Sequence, residues 1–130
     1  MFFLRRITWL GSGVLFWVVT STCAQAQQLL CDIFESGEDH PFVFSPTDSP
    51  YTVKPIDLNR FRFKAVLTAG ALSLDHIKIT VSYRTAQEAL ILQQASYLPP
   101  FPVGQSLTGR QQLYSPDLGR ELRYECKLAN

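Results

Sequence analysis

The chain has 130 residues, with 12 Lys or Arg against 11 Asp or Glu, a formal charge of +1 at pH 7 and 46% hydrophobic residues. That length holds one domain and a short additional segment. The near-neutral balance lacks the basic face that binding to a phosphate backbone requires, so no nucleic-acid partner is expected.

The first segment has the layout of an export signal. Arg5 and Arg6 form a short positive region, and residues 7–19 are apolar apart from Thr8 and Gly11-Ser12-Gly13. Ala24-Gln25-Ala26 then has the A-x-A form of a signal-peptidase site. The apolar run is shorter than the ~18–20 residues that span a hydrocarbon core. Arg5-Arg6 is followed by Ile-Thr-Trp rather than by an apolar pair, which disfavours twin-arginine export, and Thr22 before Cys23 fits a lipobox poorly. The expectation is Sec export with residues 1–26 as a signal peptide cleaved after Ala26. Residues 27–130 then form a single periplasmic or secreted domain with no transmembrane span. Removing Arg5 and Arg6 leaves ten basic residues against eleven acidic ones, a net charge of −1.

Cleavage also removes Cys23 and leaves Cys31 and Cys126. Two cysteines in an exported chain of this size read as one structural disulfide. They sit in the first and last apolar segments of the domain, so the bridge is expected to join neighbouring terminal strands with Cα atoms about 4.4–6.8 Å apart.

Taken in order, the domain reads as strands. Residues 29–34 are the first, and Ser36-Gly37 is a turn. Residues 42–44 make a short strand, and residues 51–56 a candidate edge strand because Pro55 has no N–H to donate. Residues 61–67 alternate Phe61, Phe63, Ala65 and Leu67 with Arg62 and Lys64. Residues 77–83 repeat the pattern with Ile77, Ile79, Val81 and Tyr83 inside and Lys78, Thr80 and Ser82 outside. Period two with β-branched and aromatic residues marks half-buried strands. Residues 86–98 contain good helix formers, but a strand over 90–98 returning as a hairpin through Thr85-Ala86-Gln87-Glu88 suits the neighbouring strands better. Residues 122–128 are the last strand.

Seven or eight short antiparallel strands at this spacing predict an all-β fold, a small immunoglobulin-like β-sandwich or small barrel. Tyr124-Glu125-Cys126 resembles the Y-x-C of an immunoglobulin strand F. The resemblance covers three residues and implies an architecture only, since Trp9 and Trp17 both precede residue 27 and Cys31 is in the first strand.

The chemistry-bearing residues are few. Glu38, Asp39 and His40 with His76 are the candidate metal ligands, although their spacing matches no ligand motif and adjacent Asp39 and His40 on a strand would face opposite ways. There is no G-x-S-x-G, and bridged cysteines are not nucleophiles, so no catalytic residue is assigned and no cofactor is expected. The run Tyr97, Leu98, Pro99, Pro100, Phe101, Pro102 is stiff and apolar. It reads either as a recognition loop or as a rigid crossover between sheets with Phe101 in the core. Residues 35–45 and 97–109 are expected to be the rigid loops that carry recognition. The sequence therefore points to a non-enzymatic exported binding module whose partner is another envelope or extracellular protein. The alternatives are a small hydrolase or metal protein using Glu38, Asp39, His40 and His76, and a structural subunit of an envelope assembly. A structural subunit would show an unpaired hydrophobic edge strand.

Overall fold

The computed structural model describes residues 16–19, 27–117 and 119–130. The expected signal segment lies outside the described residues except for Phe16, Trp17, Val18 and Val19, which are exposed.

Among the described residues nine strands follow one another: β1 Gln28–Glu35, β2 Glu38–Phe44, β3 Pro46–Thr47, β4 Ile56–Asp57, β5 Phe61–Ala69, β6 Leu74–Arg84, β7 Ala89–Tyr97, β8 Gln111–Tyr114 and β9 Glu121–Ala129. They form two sheets. One has the order β2-β1-β9-β8, the other β3-β5-β6-β7 with β4 also paired to β5. All pairings are antiparallel except β3 with β5.

Alternation builds the core. Leu29, Cys31 and Ile33 on β1 and Leu122, Tyr124, Cys126 and Leu128 on β9 are buried on one side. Phe61, Phe63, Ala65 and Leu67 on β5 and Ile77, Ile79, Val81 and Tyr83 on β6 meet them from the other. Phe63 contacts Tyr124 edge-on across the two sheets, with ring centroids 5.2 Å apart. His40, Phe42 and Phe44 form a row on the inner side of β2 that closes one flank.

The expected disulfide is present. Cys31 and Cys126 are direct partners on adjacent antiparallel strands, with an S–S distance of 2.07 Å. Their Cα atoms are 4.1 Å apart, below the expected range, because the two residues face each other squarely across the ladder. The bridge thus lies within one sheet.

Four other expectations need correction. Residues 51–56 are not a strand: Pro50–Thr52 is a 3₁₀ turn, and only Ile56–Asp57 pairs with β5. Pro50 presets the turn and Pro55 removes a ladder donor. Residues 35–45 are a hairpin rather than a loop. Ser36 and Gly37 take φ of 53° and 78°, the double left-handed geometry of a tight hairpin turn, so pairing continues to both ends. Arg62, Lys64, Lys78 and Thr80 are half-buried and Ser82 is buried, rather than exposed, since each lies opposite residues of adjacent strands in the middle of a five-stranded sheet. The four-residue β8 has no counterpart among the expected strands.

Candidate functional site

The metal candidates do not converge. Glu38 and His40 share the inner side of β2, 3.9 Å apart, beside a hollow of about 550 Å³ that Glu35, Phe42 and Asp57 also line. Asp39 points the opposite way, into a separate cavity of about 380 Å³ with Asp32 and Arg123. His76 is on β6 in the other sheet, paired with Thr68. Among the described residues no group of three His, Cys, Asp or Glu side chains is placed to hold a metal ion. Asp57 is engaged: Arg62 Nε donates to its Oδ1 at 2.8 Å and Arg84 lies 3.2 Å from its Oδ2. The Arg62 hydrogen bond, with the positive charge of both arginines, holds the Asp57 carboxyl below its usual range despite some desolvation.

The proline-rich run is a crossover. It leaves β7 in one sheet and reaches β9 in the other, where Val103 bridges Leu128 and Gly104 N–H donates to Leu128 O at 3.0 Å. Phe101 packs on the core, while Leu98 is 70% exposed. The peptide Pro99–Pro100 is cis. Beyond it, Leu107 N–H donates to Cys126 O and Cys126 N–H donates to Thr108 Oγ1, so residues 103–108 cover the edge of β9 that β8 leaves open.

Among the described residues no such cover pairs with β7. It is the terminal strand of its sheet, with β6 as its one partner. Its sequence, Ala-Leu-Ile-Leu-Gln-Gln-Ala-Ser-Tyr, carries no charge and no proline. The register with β6 skips Leu92, a bulge that turns Leu92 toward the core and leaves Ile91 outward and 63% exposed. The middle of the strand is fixed from behind. Tyr124 Oη donates to Gln93 Oε1, Gln93 Nε2 donates to Gln111 Oε1 at 3.1 Å, and Gln111 Nε2 donates to Thr108 O at 2.8 Å. This relay ties the free edge to the opposite sheet. Burial, with a smaller contribution from nearby Tyr97, pushes the Tyr124 hydroxyl far above the ordinary tyrosine pKa and keeps it a donor.

A second feature is the apolar end of the sandwich. Residues 70–73 join β5 to β6 there, and Gly70 N–H donates to Ser73 O at 2.8 Å. A Cβ on Gly70 would lie 2.8 Å from that same oxygen, so the tight tip requires glycine and lifts Leu72 to full exposure. Because β3 runs parallel to β5, it delivers the Pro50–Thr52 turn to the same end, with Tyr51 97% exposed. β7 ends there too, with Leu98 just beyond. Sequence reasoning missed Tyr51 and Leu72 as surface residues; the available signal was that each lies close to turn-forming residues, Asp48-Ser49-Pro50 and Gly70.

Comparison with protein-family models, with curated proteins and with solved structures finds no match to this chain.

Proposed function

We propose that the chain is exported, is cleaved after Ala26, and works in the periplasm or outside the cell as a non-enzymatic binding module of immunoglobulin-like layering. Its partner is another envelope or extracellular protein, which adds an extended strand to β7. The observation that carries this reading is the nine-residue uncharged edge with Ile91 outward. Soluble proteins ordinarily protect such an edge with charge, proline or a covering segment. Main-chain hydrogen bonds would supply affinity, and Leu90 and Ile91 would supply side-chain selectivity. The Tyr124–Gln93–Gln111 relay and the disulfide support the reading by ordering the edge in advance, which lowers the entropic cost of binding.

The same edge favours one second reading, a structural subunit in which the added strand comes from another copy of the chain. The two differ in what is recovered. A hetero-complex contains a different protein, whereas a subunit yields only copies of itself at larger mass. Ile91→Lys tests both, because a lysine on an edge opposes strand addition. The variant should lose the partner from an envelope pull-down while its Tm stays within about 4 °C of wild type. Undiminished recovery of the partner would reject β7 as the binding edge.

A further inference from the structure

The hollow beside the β1–β2 hairpin lies on the flank formed by β2 and β4, away from β7. One of its walls is a charge that the expected metal set did not include. Glu35 ends β1 on the inner side and is 4% exposed, yet among the described residues its side chain has no hydrogen bond or ion pair. Its direct partner across the ladder is Glu38, a second carboxylate lining the same hollow. Like charges directly opposite one another work against strand pairing. A carboxylate taken out of water without a partner is costly as well. A cation bound between the two relieves both costs.

The protein's own cations on this flank are committed elsewhere. Arg62 and Arg84 both hold Asp57, which is another part of the wall. His40 is 3.9 Å from Glu38, the long limit of an ion pair. A metal ion needs several ligands converging on one point, and among the described residues no group of three His, Cys, Asp or Glu does so. An organic cation makes a looser demand, because its donors are spread over its own frame. Phe42, Ile56 and Leu58 make the remaining wall apolar, so the cation must carry hydrocarbon.

Guanidinium suits this wall better than ammonium. Its planar fork offers five donors to two carboxylates, it gives up hydration more readily, and it stacks on flat rings. His40 and Phe42 present such rings side by side, stacked with centroids 6.4 Å apart. Asn59 Nδ2 donates to Ser36 Oγ at 3.5 Å, which ties the hairpin turn to the turn between β4 and β5 and sets the hollow in place beforehand. Its volume, about 550 Å³, is within the range of about 300–1,000 Å³ that holds small molecules. Glu38 is exposed at the mouth and would repel a ligand carboxylate. We infer that this hollow binds a small organic cation, a guanidinium on an aliphatic stem with no carboxylate of its own. Glu35 is its buried counter-ion and Glu38 a second acceptor at the mouth.

The test titrates the purified chain with agmatine and follows backbone amide resonances by NMR. The amides of Ser36, Gly37, Leu58 and Asn59 should shift saturably, and those of β7 should stay in place. N-Carbamoylputrescine, in which a neutral urea replaces the guanidinium, should bind at least about tenfold more weakly, the loss expected for one charge-assisted hydrogen bond. Glu35→Gln should show the same loss with its spectrum otherwise unchanged, and Glu38→Gln a loss of about threefold or less, as for an exposed pair. Free arginine, which carries a carboxylate, should bind more weakly than agmatine. The urea comparison uses the wild-type chain, so it decides the matter even where Glu35→Gln does not fold. No saturable shift with agmatine, equal binding of the urea, or undiminished binding by a folded Glu35→Gln overturns the site. Equal binding of putrescine overturns the choice of guanidinium. Tighter binding of acetyl-Gly-Arg-Gly-amide than of agmatine overturns the small-molecule occupant and assigns the hollow to an arginine of a polypeptide. All of these readouts are independent of strand addition at β7, which the Ile91→Lys variant tests separately.

Discussion

Replacing Cys31 and Cys126 together by alanine removes a cross-link between residues 95 apart in sequence. Closing a loop of that size in the unfolded chain is worth about 4.7 kcal/mol at 25 °C by the loop-entropy relation. Domains of this size are stable by roughly 5–15 kcal/mol, so the bridge supplies a large part of the total. The native ladder does not depend on it. β1 and β9 remain paired from Gln28 with Ala129 to Glu35 with Leu122, and Leu29, Ile33, Leu122 and Leu128 stay in the core. The double variant should therefore fold and unfold cooperatively, with a stability lower by about 4–5 kcal/mol in urea titration. At about 4–8 °C per kcal/mol for a domain near this size, Tm should fall by about 20–35 °C. Wild type in reducing agent should move to the same midpoint, and the variant should not respond to reductant. A loss under about 1 kcal/mol would refute the reasoning, since the unfolded chain would then gain little freedom from the missing link.

Ile79 is fully buried between the sheets, whereas Thr80 is half-buried on the outer face. Ile79→Ala should cost about 2–5 kcal/mol and Thr80→Ala about 0.5 kcal/mol in the same titration; equal losses would put the register of β6 in error. Tyr124 has a pKa raised by folding, so the stability it supplies is complete below the unfolded tyrosine value of about 10 and is lost as pH rises above it. Urea midpoints across pH 8–11.5 should fall steeply for wild type above pH 10 and less steeply for Tyr124→Phe, which should also lose about 1 kcal/mol at neutral pH with the bond to Gln93.

Much of the fold was legible because burial leaves a period in the sequence. Phe61 to Leu67 and Ile77 to Tyr83 alternate so regularly that one register satisfies both, and those strands form the centre of their sheet. The strand 89–97 was legible from its context, a hairpin return from β6, although its composition suits a helix. What escaped was set by distant packing. Gln111–Tyr114 is a strand only because β9 offers it an edge, and two glutamines leave no apolar period to read. Lys64 and Lys78 read as solvated charges, yet both are half-buried, Lys64 opposite Thr80 and Lys78 between Val66 and Ser96 on the flanking strands. The free edge of β7 was invisible for the same reason. Whether a strand is terminal depends on the order of strands in the sheet, which local pattern does not encode.

The edge is also where a single measurement reaches furthest. A photoreactive residue placed at Ile91 in cells exporting the chain reports whatever lies along β7, and the same residue at Glu38, on the hairpin at the far side of the other sheet, serves as the control. The account predicts a discrete cross-linked species from position 91 and none from position 38. Cross-linking of equal strength at both positions, or no species from position 91, would contradict strand addition at this edge.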